Sequence, residues 1–255
     1  MLRLKTIQTV AFRCLIELLK DILIDVNFVF DEHGMSLITM DNRHTVLVQV
    51  LLKAEHFEEY LCSNRTIVGL NLGNLFRLIK SLSASDVLAL EIDKNDPTRL
   101  IVEISNADKK TFTRYKLNQL DLDEVKIDIP QINFDTRVSI SASELQRLAR
   151  DMAQLSEHVT LAHRDSCLCF EVDGNYASQV TELAEFGTSG LQFLDRSDEN
   201  TFFGTFSVKY LSIFTRASLM ASNAILSLKP EYPLVIEYPV ASLGSIVFVL
   251  GATTI

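Results

Sequence analysis

The chain is written twice. SLSASDVLALEI at positions 81 to 92 matches SLMASNAILSLK at 218 to 229, and Leu100-Ile-Val-Glu-Ile104 matches Leu234-Val-Ile-Glu-Tyr238. The offsets are 137 and 134 residues. Short apolar strands resemble one another by chance, but two matches in the same order at nearly the same offset mark a duplicated unit. A length of 255 residues holds two domains of ordinary size, roughly 100–150 residues each.

Each half also orders its elements alike. Positions 9 to 23 place apolar residues at 10, 14, 18 and 22, flanked by 11, 15 and 19, which is the stripe of an amphipathic helix. Its counterpart opens at Ser141-Ala-Ser-Glu144, a capping-box pattern in which the serine caps and the glutamate reaches back. Second helices are expected at 71 to 82 and 207 to 220. Between them lie short β-type runs such as VNFVF, SLITM, TVLVQVLL, LCFEV and TFFGTF, separated by turn residues including Asp31 to Gly34 and Asp173-Gly174. Helix, strands, helix, strands in each half predicts an α+β fold, with helices segregated on one face of antiparallel sheets. Domains at 1–118 and 135–255 follow, joined by a connecting loop at 119–134.

That loop lies within QLDLDEVKIDIPQINFD, which is acidic yet keeps Val125, Ile127, Ile129, Ile132 and Phe134. Hydrated aspartates suit a strap, whereas so many large apolar side chains need a surface to cover.

No apolar run reaches the roughly 18–20 residues that span a bilayer, and the start lacks a signal-peptide core, so a soluble intracellular protein with no membrane partner is expected. Four cysteines include no C-x-x-C pair and read as reduced structural thiols. The five histidines show no metal-ligand spacing, and the usual nucleotide, hydrolase and metalloprotease motifs are missing. The expectation is therefore no enzyme, no cofactor and no metal.

Charge is distributed unevenly. The net formal charge of −9 argues against general affinity for nucleic acid. Yet the four helical segments hold eight basic and four acidic residues, and the remainder 16 and 29. The basic set is Arg13, Lys20, Arg77, Lys80, Arg147, Arg150, Lys209 and Arg216. Any one of them is an ordinary solvated helix residue. Eight on one class of surface suggest a stripe facing duplex phosphate, contacted without reading sequence.

Several stretches resemble proliferating cell nuclear antigen. They are Met40-Asp-Asn-Arg-His44-Thr-Val-Leu-Val, Leu18 to Asp21, Tyr60-Leu-Cys62 leading to Val68-Gly-Leu-Asn71, Leu120-Asp-Leu-Asp123 with Ile129-Pro130, Arg147-Leu-Ala-Arg150-Asp151, Tyr210-Leu, Phe214-Thr-Arg216 and Pro233 to Tyr238. The likeness runs from the first helix to the last strand and is closer to eukaryotic and large-virus members.

This resemblance implies two DNA-clamp domains per subunit, head-to-tail subunits in a homotrimeric ring, and helices around double-stranded DNA. It implies that edge strands at 110–117 and 175–184 form the joint, and that a clamp loader opens the ring. DNA polymerase and other replication and repair proteins would dock short peptides in a groove of Met40, His44, Thr45, Leu47, Ile127, Ile129, Pro130, Phe134, Tyr232, Pro233, Val249 and Gly251. The expected location is the nucleus or a viral replication site. At the last strand the chain has Val249-Leu-Gly-Ala-Thr253 where the family offers an aromatic and then Leu-Ala-Pro-Lys. Leu61 and Ser63 replace the usual charged residues around Cys62, and no lysine falls near His163-Arg-Asp-Ser166. Two other readings share the fold: a subunit of a heterotrimeric checkpoint clamp, and a viral scaffold or transcription-associated protein that does not encircle DNA.

Overall fold

The computed structural model describes residues 1–124, 127, 132–164, 166–187, 190–196 and 201–253. The first copy runs β1 (Leu2–Thr6), α1 (Thr9–Leu19), β2 (Asp25–Phe30), β3 (Gly34–Met40), β4 (Val46–Lys53), β5 (Glu59–Cys62), β6 (Thr66–Asn71), α2 (Leu72–Ile79), β7 (Val87–Asp93), β8 (Asp96–Asn106) and β9 (Thr111–Asn118). The second runs β10 (Thr136–Ser141), α3 (Ala142–Met152), β11 (His158–Arg164), β12 (Cys167–Asp173), β13 (Ser178–Ala184), β14 (Gln192–Asp195), β15 (Thr201–Ser207), α4 (Val208–Phe214), β16 (Asn223–Leu228), β17 (Leu234–Val240) and β18 (Gly244–Leu250).

The duplication is visible in the pairing. β1 lies between β5 and β7, and β7 pairs β8; β10 lies between β14 and β16, and β16 pairs β17, all antiparallel. Likewise β2 lies between β6 and β3, and β11 between β15 and β12. The matched sequence segments lead into β7 and β16 and lie within β8 and β17. The chain packs as two compact units: Met1–Asn42 with Val48–Ile127 and Pro239–Ile246, and Arg43–Leu47 with Asp128–Tyr238 and Val247–Ile255.

The helices form for the reasons their stripes suggest. α1 buries Phe12, Leu15, Ile16 and Leu19, and α2 buries Leu72, Leu75 and Ile79. Full burial of each such side chain is worth about 1.5–3 kcal/mol. Asn71 caps α2, its Oδ1 accepting from the Asn74 N–H at 2.9 Å. α3 buries Ala142, Leu145, Leu148, Ala149 and Met152. Phe214 of α4 stacks on Phe248 at 4.3 Å and 7°, and Tyr238 meets Phe248 edge-on at 6.4 Å.

Four local expectations need correction. The helix expected at 71 to 82 ends at Ile79, and the Leu82 N–H bonds the Ile79 carbonyl three residues back. The capping box at Ser141 does not form: the Ser141 hydroxyl bonds that of Ser143 at 2.9 Å, and Glu144 accepts two hydrogen bonds from Arg147. A bidentate guanidinium outcompetes one backbone N–H for that carboxylate. The last helix ends at Phe214 and continues as a 3₁₀ turn, Thr215–Leu219. There Thr215 Oγ1 donates to the Ser212 carbonyl at 3.2 Å, a side-chain bond that competes with helical backbone pairing. α1 ends at Leu19, because the Asp21 and Ile22 N–H groups bond the carbonyls of Leu18 and Leu19, three residues back.

The turn after α2 is closed by Asp86. Its Oδ2 accepts from the Ser83 N–H and hydroxyl, each at 2.7 Å, and its Oδ1 accepts from Asn106 Nδ2 at 2.7 Å. The hydrogen bonds from Asn106 and Ser83 hold this carboxyl below its ordinary value of 3.8. Asp86→Asn keeps the shape but offers an N–H₂ where an acceptor is needed, and should cost about 1–3 kcal/mol near neutral pH. The native carboxylate stabilises fully above the ordinary aspartate value and loses that effect as pH falls through its depressed one. Denaturant melts of both proteins should thus diverge at pH 7 and converge as acidification protonates the Asp86 carboxylate.

Candidate nucleic-acid interface and partner surface

The eight predicted cations divide by their neighbours. On α2, Arg77 and Lys80 are exposed, opposite the buried Leu75 and Ile79. Arg150 of α3 and Lys209 of α4 are exposed too. Among the described residues these four have no acidic partner. The other four are engaged. Arg13 Nη1 donates to the Leu82 carbonyl at 3.0 Å, tying α1 to the chain just after α2. Lys20 pairs with Asp21 at 2.7 Å and lies over the Phe76 ring. Arg147 is clamped between Glu144 at 2.7 Å and Asp151 at 2.8 Å, which lowers the Glu144 carboxyl and raises the guanidinium. Arg216 sits on the 3₁₀ turn, half-buried, with contacts of its own. Positive potential from these helices therefore rests chiefly on Arg77, Lys80, Arg150 and Lys209.

The connecting strap starts on the first unit. Gln119 donates its N–H to the Thr98 carbonyl, and Leu120 donates to the Gly69 carbonyl at 2.8 Å. Gly69 is a glycine for this reason, since a Cβ there would lie 2.2 Å from the Leu120 oxygen. Asn27 Nδ2 then reaches the carbonyls of Leu122 and Asp123, each at 3.1 Å, and Arg65 pairs with Glu124. Asp121 and Asp123 are exposed, but Glu124 is an anchor more than a solvating group.

Beneath the strap is a recess of about 420 Å³, with Ile127 and Leu122 above it and Val29 and Ile38 in its wall; Asp25, Asp123 and Arg65 add charge at the side. Ile38 is 38% exposed, an apolar side chain left uncovered. Of the ten predicted groove residues that are among the described ones, Ile127 alone lines this recess. Met40 ends β3 half-buried. On the second unit, Gly251 donates its N–H to the Thr45 carbonyl at 3.0 Å, and Lys229 lies over Tyr232, which precedes Pro233. His44 adopts a positive φ of 54° and is exposed; Leu47, Phe134 and Val249 are half-buried. Ile129 and Pro130 lie outside the described residues. A second open recess, on the second unit, is lined by Phe202, Phe203, Pro230, Glu231, Ala252 and Thr253 among others.

Sequence reasoning overlooked Asn27, Arg65 and Gly69. Signals existed for two of them: an asparagine inside the apolar run Val26 to Phe30, and a glycine in a strand interior, which often marks close approach of another backbone.

Among the described residues no three His, Cys, Asp or Glu side chains are grouped as metal ligands, and no helix is long and apolar enough to cross a membrane.

Comparison with known proteins covers nearly the whole chain. The family model for the proliferating cell nuclear antigen N-terminal domain matches residues 1–126, and that for its C-terminal domain matches residues 128–253. A protein of Paramecium bursaria Chlorella virus 1, described as "Probable DNA polymerase sliding clamp 1", is 31% identical over 252 residues, covering 97% of this chain and 95% of that protein.

Proposed function

The chain belongs to the proliferating cell nuclear antigen family, and from that premise we propose that it acts as a replication sliding clamp: a homotrimeric ring that encircles duplex DNA and tethers a polymerase to it. In this reading the protein performs no chemistry. Its domains are 1–118 and 135–255, and the strap between them belongs to the partner surface.

The observation that carries this reading is the set of acid-free cations on α2, α3 and α4 of a chain whose net charge is −9. Phosphates attract such side chains over a screening length of about 8 Å at physiological salt. With no base edge recognised, the attraction holds along the duplex and permits sliding. Acidic residues elsewhere repel DNA from other surfaces.

Two strand edges support head-to-tail closure. β9 ends the order β5-β1-β7-β8-β9 and β13 ends the order β13-β12-β11-β15, so each has one side free of strand pairing among the described residues. A heterologous contact of this kind closes into a ring when the rotation per subunit allows. A joint formed by two strand edges is also one that a loader can open.

Polymerase and repair enzymes would dock through short peptides, using Met40, His44, Thr45, Leu47, Ile127, Ile129, Pro130, Phe134, Tyr232, Pro233, Val249 and Gly251. Three such sites per ring raise the local concentration of several enzymes at once. The site of action is the nucleus or a viral replication compartment.

Light scattering at micromolar concentration tests the assembly. The purified chain alone should show three times its mass of 28.7 kDa. A single-chain mass that rises only when a different subunit is added would instead favour the heterotrimeric checkpoint clamp.

A further inference from the structure

The two free strand edges carry opposite charge. β9 and the turn before it hold Lys109, Lys110, Arg114 and Lys116 against one acid, Asp108, whereas β13 and the residue after it hold Glu182 and Glu185 without a base. Like edges repel and unlike edges attract. Of the two acids, Glu185 is already engaged, accepting from the Phe193 N–H at 3.1 Å.

Side-chain alternation limits how the edges meet. In β9, Tyr115 and Leu117 stand opposite the buried Val102 and Leu100, so Phe112, Arg114 and Lys116 lie on the other face. There Arg114 Nε donates to Glu103 Oε1 at 2.7 Å. In β13, Thr181 and Leu183 stand opposite the buried Phe170 and Leu168, so Val180 and Glu182 lie on the other face. Joining the two sheets must keep buried face with buried face, because a one-residue slip turns every side chain over. Antiparallel pairing of at least six residues of each strand then leaves two registers. One sets Arg114 opposite Glu182; the other sets it opposite Val180, with Glu182 one diagonal step away. A guanidinium spans either separation.

Building on the clamp reading, we propose that Arg114 of each copy bridges its own Glu103 and Glu182 of the next copy, so that ring closure is secured by a charge pair and loosens with salt. The fork of a guanidinium suits two carboxylates at once. Phe112 and Val180, 60% and 59% exposed in the single chain, lie on the same face of the joint and are partly covered by it.

Glu182→Lys and Glu182→Gln test the pair. Because Glu182 is exposed, neither substitution should alter the melting of the individual chain, which circular dichroism on dilute protein checks. Sedimentation of serial dilutions then gives the concentration at which half the rings dissociate. Glu182→Lys should raise it about tenfold or more at low ionic strength, since like charges replace unlike ones at the contact. The wild type should weaken between about 50 and 500 mM salt, and Glu182→Gln should lose most of that salt response. If both variants form rings as tightly as the wild type with the same salt response, the charge pair is wrong and the ring stands. If the wild type is a single chain at every concentration, the ring itself is wrong.

Discussion

Replacing Arg77, Lys80, Arg150 and Lys209 together by Glu should remove the protein's ability to extend polymerase product length. Each substitution changes the local charge by two, and the change repeats in every copy of a ring. Attraction to phosphate, which is additive in the number of contacts and steep in salt, becomes repulsion. Primer extension on a primed circular template should give products shortened more than tenfold, close to those of the polymerase alone, while light scattering still reports intact rings. Arg147→Glu alone should do much less. Glu144 and Asp151 already neutralise Arg147 within α3, so little of its charge reaches the duplex. Wild-type product lengths from the fourfold variant would sink the encircling reading and favour a clamp-like scaffold that never surrounds DNA.

A second large effect is expected from Ile127→Asp. A carboxylate among Ile38, Val29 and Leu122 places a charge where a partner's apolar side chain is proposed to seat. Desolvating it without a partner cation costs about 2–3 kcal/mol or more, equivalent to roughly 30–150-fold in affinity. Calorimetry with a peptide carrying Gln, an aliphatic residue and paired aromatics should show that loss, with ring mass unchanged. The strap has anchors of its own at Gly69, Asn27 and Arg65, so the substitution acts on the recess and leaves the path of the chain intact. Undiminished peptide affinity would mean that Ile127 only pins the strap.

Architecture was legible in the sequence to the extent that it repeats. The segments at 81 and 218 lead into β7 and β16, and those at 100 and 234 lie in β8 and β17, because equivalent strands need equivalent apolar faces. Helical periodicity located four helices by their buried stripes. It could not locate their ends, which depend on competition between local bonds: Arg147 draws Glu144 away from a cap, and Thr215 diverts α4 into a 3₁₀ turn. The candidate interface was legible as a set of cations and not as a ranking among them. Whether a lysine or arginine is free depends on which carboxylate or carbonyl the fold brings near it, as Arg13 and the Leu82 carbonyl illustrate across 69 residues. The strap's apolar residues pointed to a covered surface, but its anchors lie far off in sequence at Asn27 and Arg65.

β9 offers eight residues of backbone along an open edge, with Phe112 largely bare beside it. Such an edge accepts any extended chain, since hydrogen bonding along a strand reads no sequence. A newly made or diluted subunit therefore carries a template for runaway association. Lysines along the edge oppose stacking of like on like, a protection natural edge strands commonly use. Closure protects more fully, since it pairs β9 with β13 and removes both edges as seeds for a fibril. Quality control of this protein should thus track its concentration: below the level that sustains closure, subunits would be lost to aggregation before they are lost to unfolding.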